Sequence, residues 1–144
     1  MKKGNILIID QYKAGNEFLR QSFLHMGKNP EEIHFAINYE QAQEEIARLK
    51  GSNYGVLSES HIPTREGIRI ETSGLLESLS ESNIPVVLHT ADNITGLGYR
   101  MNELIFNGKI WYVQKTAKNF EDDQTFYHTI ILPLINHEES AALG

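Results

Sequence analysis

Residues 57–63 read LSESHIP. The stretch just before and into it, YGVL (54–57), has the composition of a buried strand, yet it runs into a carboxylate, Glu59, four residues before Pro63. An acid at the exit of an apolar strand belongs at the rim of a sheet, where an α/β domain collects its functional groups.

Outward from this point the pattern repeats. NILIID (5–10), IHFAI (33–37), YGVLSE (54–59), IPVVLHT (84–90) and KIWYVQK (109–115) are short stretches rich in Ile, Val and aromatics, separated by segments of helical period. The first, third and fourth are nearly continuous apolar runs, which predicts strands covered on both faces. Between them, Asn38 reads as an N-cap with Gln41 at the capping-box position, and Ala42, Ile46 and Leu49 fall on one face before Gly51. Phe18, Leu19 and Phe23 form a stripe ending at Gly27, and Leu97, Met101, Leu104 and Ile105 another ending at Gly108. Asn119 reads as the cap of a last helix with Glu121, Asp122 and Asp123 in its first turn. Its Phe126, Tyr127, Ile130, Ile131 and Leu134 would face inward, and Pro133 would bend or shorten its end. Alternating β and α elements predict an α/β fold, a three-layer, doubly wound, five-stranded parallel sheet.

The 144 residues suit one domain. A net charge of −6 with 13 scattered basic residues argues against nucleic acid as a partner. No apolar run reaches the roughly 20 residues of a bilayer span, so no membrane association and a cytoplasmic location are expected. The absence of cysteine removes disulfides and thiolate chemistry, and none of the six histidines stands three or four residues from another as zinc ligands often do.

The strand ends carry Asp10 and Gln11, Glu59, Thr90, and Lys115. An acid, a second site for an acid, a hydroxyl and a lysine are the parts of an aspartyl-phosphate site. A carboxylate attacks phosphorus, neighbouring acids hold Mg2+, and the hydroxyl and ammonium receive phosphate oxygens.

Over roughly residues 4–136 the chain resembles the receiver domain of two-component response regulators. The resemblance lies in LIIDQ with its acid at Asp10, in Glu59 four residues before Pro63, in Thr90 followed by Ala91, and in Tyr112 three residues before Lys115. It implies the flavodoxin-like (CheY-like) strand order 2-1-3-4-5, a receiver-like domain over 1–136 and a short polar tail over 137–144. It also implies a phosphoacceptor position at Glu59, an acidic pocket at Asp10 and Gln11, and switch residues Thr90, Tyr112 and Lys115.

Two residue types depart from the pattern. Gln11 offers a neutral amide oxygen where the family places a Mg2+-binding acid, and hard cations are held mainly by charged oxygens. Glu59 replaces Asp and extends the attacking oxygen by about 1.5 Å; an error of that size can cost about a hundredfold in phosphoryl transfer. Thr116 replaces the proline that usually follows the family's lysine in a cis bond, so a trans peptide and a loosened geometry are expected there.

The expectation is therefore a degenerate receiver, not an enzyme. It acts in signal transduction as a phosphorylation-independent interaction module, with no cofactor beyond a weak Mg2+ site at Asp10 and Glu59. Expected partners are a signalling protein or histidine kinase, with a homodimer possible. The alternatives are an active phosphoacceptor in a histidine-kinase phosphorelay and a flavodoxin-like small-molecule binder. The latter lacks a phosphate cradle, since DQYKAGNEF (10–18) has one Gly and no Ser or Thr.

Plainer readings stand beside these. Asp10 would accept backbone amides of the next helix, Glu59 and Lys115 would be a strand-end ion pair, and Thr90 a β-branched strand residue. His61 reads as a solvated loop residue, His89 as a strand residue facing a helix, and Trp111 as packing. PTREGIRIETSG (63–74) lengthens the family's loop. Its alternation predicts a small extra strand or flap, with a flexible surface loop as the alternative. The resemblance also implies a partner surface at the fourth helix, the fifth strand and the fifth helix, with Tyr99, Met101 and Trp111 as candidates.

Overall fold

The structure is a computed structural model and describes residues 4–116, 127–132 and 134. In chain order the main elements are β1 (Asn5–Ile9), α1 (Lys13–His25), β2 (Ile33–Ala36), α2 (Tyr39–Leu49), β3 (Tyr54–Ser58), β4 (His61–Pro63) and β5 (Arg69–Glu71). They continue with α3 (Ser73–Glu81), β6 (Val86–Thr90), α4 (Tyr99–Phe106), β7 (Trp111–Gln114) and a π-helical segment, Tyr127–Ile131.

Five strands form one parallel sheet in the order β2-β1-β3-β6-β7. With the small β4–β5 hairpin set aside, this is the predicted 2-1-3-4-5 order. Because side chains alternate along a strand, β1 sends Leu7 and Ile9 to one face and Ile6 and Ile8 to the other. The first face packs against Ala42 and Leu49 of α2, Leu76 and Leu79 of α3, and Met101 and Leu104 of α4. The second packs against Leu19 and Phe23 of α1 and against Ile130, Ile131 and Leu134. All residues of β3 and β6 are buried, as continuous apolar runs require.

The predicted cap at Asn38 is formed. Asn38 Oδ1 accepts from the Gln41 amide at 2.8 Å, capping α2. Gln41 returns its side chain to the Ile37 amide at 3.0 Å, one residue earlier than a strict capping box. Phe18 departs from its predicted stripe: it is exposed, and the inner face of α1 is carried by the buried Leu19 and Phe23 with the partly buried Leu24 beside them. Asn119, the acids 121–123, Phe126 and Pro133 lie outside the described residues.

Segment 61–71 is an antiparallel hairpin with Ile62 opposite Ile70. Ile62 is fully buried in the core, which decides for a flap anchored by its inner face over a flexible loop. Its tip closes through Thr64 N to Ile68 O at 2.8 Å and Gly67 N to Thr64 O at 2.9 Å, with Gly67 at φ 92, a conformation glycine adopts without strain. Arg65 ties the tip to α2, donating its backbone amide to Glu40 and pairing with Glu44 at 2.6 Å. At its other side, Glu71 lies against Gly98, where an added Cβ would come within 2.7 Å of the carboxylate.

Candidate functional site

Parallel pairing delivers the site residues to one edge. Asp10 N donates to Ala36 O at 3.0 Å, Glu59 N to Ile9 O at 2.9 Å, and Lys115 N to Thr90 O at 2.7 Å, so each lies just past the strand that fixes it. Lys115 reaches back between the two acids: its Nζ donates to Asp10 Oδ2 at 2.5 Å and to Glu59 Oε2 at 2.8 Å.

Both carboxylates are buried, at 3% and 6% exposure for Asp10 and Glu59, so this is not the surface ion pair of the plainer reading. Burial opposes the charge on Lys115, but hydrogen bonds to Asp10 and Glu59 and the charges of those acids outweigh it, and its pKa rises above the ordinary lysine value. The ammonium also lies 5.7 Å from the Tyr12 ring centroid.

The remaining oxygens are also occupied. Asp10 Oδ1 accepts at 3.0 Å the amide of Tyr12, the N-cap residue of α1, so beside its ion pair it closes the turn before the helix and does not take the helix amides of the plainer reading. Glu59 Oε1 accepts the Ser60 amide at 3.0 Å. Gln11 is half-buried and makes no side-chain hydrogen bond or ion pair among the described residues.

Thr90 is buried, and its hydroxyl reaches Glu59 through Ser60, whose Oγ stands 3.2 Å from Thr90 Oγ1. Tyr112 donates its hydroxyl to Asp92 O at 2.6 Å. Burial, and then the Asp92 charge, raise the Tyr112 pKa. The structure thus joins Asp10, Glu59 and Lys115 directly, brings in Thr90 and Tyr112 through Ser60 and Asp92, and leaves Gln11 aside. The peptide before Thr116 is trans.

Sequence reasoning missed Ser60, Asp92, Thr72 and Glu71. Thr72 ends the hairpin by donating its hydroxyl to Glu59 O at 2.8 Å and its amide to Ser60 O at 2.8 Å. For Ser60 and Asp92 the only signal was a polar residue within two positions of Glu59 or Thr90, and Glu71 and Thr72 carried none. His61 is not a solvated loop residue: it lies on β4, half-buried, 3.7 Å from both Glu71 and Asp92.

His89 shares the face of β6 that carries Val87, and it is 2% exposed. Burial, then the Lys115 charge, depresses its pKa from 6.5 to about 3. Between those values the unfolded chain takes up a proton that the folded chain refuses. The stability this neutral imidazole allows is therefore full above pH 6.5 and is lost as pH falls toward 3. From pH 7 to pH 5 the expected loss is about 2 kcal/mol. Urea unfolding at both pH values will show it in the wild type, and His89→Asn will flatten that part of the slope.

On the α4–β7 side, Trp111 is 48% exposed and Tyr99 84%, whereas Met101 is fully buried. Trp111 is thus not a packing residue, and Met101 is not a surface candidate. Phe106 is also exposed, and a groove of about 400 Å³ is lined by Ile105, Gly108, Ile110, Trp111 and Tyr112. No described helix is long and apolar enough to cross a membrane.

No protein-family model matches the chain, and no curated protein does. Solved structures match in number, 52 chains in all, so the fold assignment rests on no single likeness. The signal receiver domain of an HD domain-containing protein from Pseudomonas fluorescens Pf-5 is 22% identical, with 96% of this chain and 99% of that one covered and a TM-score of 0.69. The N-terminal domain of a response regulator/sensory box/GGDEF protein from Carboxydothermus hydrogenoformans is 16% identical over 95% and 98%, at TM-score 0.70. The response regulator TrrA from Thermotoga maritima, in complex with Mg2+-BeF, is 18% identical over 89% and 100%, at TM-score 0.60. The chain has the fold of response-regulator receiver domains, the CheY-like variant of the flavodoxin-like topology.

Proposed function

We propose that this receiver-fold domain acts in signal transduction as a phosphorylation-independent protein-interaction module. One observation carries the reading. Glu59, at the phosphoacceptor position, is buried and has both oxygens engaged, one by Lys115 and one by the Ser60 amide. A nucleophile must present an oxygen to phosphorus in line with the leaving group. Here that requires breaking a buried charge pair or opening the hairpin that continues from Ser60.

The metal side supports the same reading. Asp10 and Glu59 would be the ligands for Mg2+, and Asp10 Oδ2 and Glu59 Oε2 already share one ammonium. With Gln11 neutral, a divalent ion has to compete with Lys115 for two carboxylates. A receiver of this kind passes information through its surface, and the exposed Trp111 of the groove, with the exposed Tyr99 and Phe106 of α4, suits a signalling protein or a second copy. Incubation with acetyl phosphate and Mg2+ tests the reading: the intact mass is expected to stay unchanged, and a phosphoryl adduct would overturn it.

A further inference from the structure

Ser60 has no exposed surface, and its hydroxyl meets four groups from two stretches of chain, its own neighbours Glu59 and His61 and the Thr90–Asp92 turn. Its Oγ stands 2.6 Å from Asp92 Oδ2, 3.2 Å from Thr90 Oγ1, 3.0 Å from His61 Nδ1 and 3.4 Å from Glu59 Oε1. A hydroxyl has one proton and two lone pairs. The shortest contact takes the proton, so Ser60 donates to the Asp92 carboxylate in a charge-assisted bond. Thr90 Oγ1 accepts the Asp92 amide at 3.2 Å, which leaves its own proton for Ser60.

The bonds close a ring. The Asp92 amide donates to Thr90, Thr90 to Ser60, and Ser60 back to the Asp92 side chain. Asp92 is thereby fixed at its amide and its carboxylate, and its remaining backbone group, the carbonyl, receives the Tyr112 hydroxyl at 2.6 Å. Tyr112 in turn forms one wall of the groove beside Trp111.

We propose that Ser60 is a positioning residue, an internal latch that holds Tyr112 through Asp92 and so sets the shape of the α4–β7 groove. The proposal rests on the phosphorylation-independent reading, because it gives the groove one standing conformation maintained by the chain's own hydroxyl. It assigns a role to a residue outside the strand-end motif, and it makes Asp92 the joint between the buried site and the surface.

Trp111 is the only tryptophan in the chain and is half exposed at this groove, so it reports on the groove directly. The experiment compares acrylamide quenching and emission maximum of the folded wild type with Ser60→Ala, Tyr112→Phe and the double variant. Ser60 and Tyr112 share Asp92 as a partner, so a working latch couples them. Both single variants are expected to shift the Trp111 signal in the same direction, and the double variant to go no further than the larger single. A Ser60→Ala protein that is less stable but has an unchanged folded-state Trp111 signal overturns the latch, as do additive shifts.

Should Ser60→Ala not fold, Asp92→Ala removes the other end of the same bond from a partly exposed loop side chain. It must then produce the Trp111 shift, and an unchanged signal overturns the proposal. The measurement uses no phosphodonor. An adduct in the mass experiment would remove the functional reading while leaving the coupling to be observed, and lost coupling without an adduct would remove only the latch.

Discussion

Lys115→Met is expected to destabilise the domain by about 3–5 kcal/mol at neutral pH, the cost of leaving buried charge uncompensated. The substitution keeps most of the aliphatic stem but strips the ammonium from Asp10 and Glu59, whose side chains are only 5% and 7% exposed. Urea unfolding measures the loss directly. A second substitution, Asp10→Asn, should return part of the stability at neutral pH, because it removes one of the two uncompensated charges. A loss below about 1 kcal/mol would place the trio with solvent-screened surface pairs and remove the argument that the site is closed.

The second large effect concerns the hairpin. Ile62→Ala is expected to cost about 2–5 kcal/mol, since it deletes a fully buried side chain that joins β4 to the sheet, α2 and α3 in one cluster. Ile68→Ala, at 59% exposure on the same hairpin, should stay within about 0.5 kcal/mol of wild type. Hydrogen exchange should show the difference locally, with Ile62→Ala raising exchange at the Thr64, Ile68 and Thr72 amides, which the hairpin now protects. Equal effects from the two variants would mean that the hairpin is an ordinary surface loop.

The sheet was legible because β1, β3 and β6 are continuous apolar runs bounded by polar residues, and that pattern has few solutions in a single domain. The end positions Asp10, Glu59, Thr90 and Lys115 followed from the strands, since parallel pairing brings all strand exits to one edge. What the sequence did not show depends on loop conformation. Asp92 returns to Ser60 only because the chain turns after Thr90, and no periodicity encodes that turn. Trp111 was misread because WYVQ lies on an edge strand. Four residues with three apolar ones in a row carry no phase, and only Val113 of them is buried. The alternation in GIRIE did point to the small strand β5, in which the partly exposed Ile70 pairs opposite the buried Ile62.

Fold and chemistry are separate in this chain. The receiver-type sheet brings a carboxylate, an ammonium and a hydroxyl to one corner, but Glu59 uses its oxygens to bind Lys115 and Ser60 rather than to stand open. The hairpin, Asp92 and Tyr112 then extend the same polar network to the surface that carries Trp111.

The most direct measurement is intact mass after acetyl phosphate and Mg2+ on the wild type beside Gln11→Asp/Glu59→Asp. The account predicts no phosphoryl adduct on the wild type and an adduct on the double variant, whose shorter acid and added metal ligand restore the missing parts of the site. A phosphoryl adduct on the wild type would contradict it and return the chain to the active phosphoacceptors.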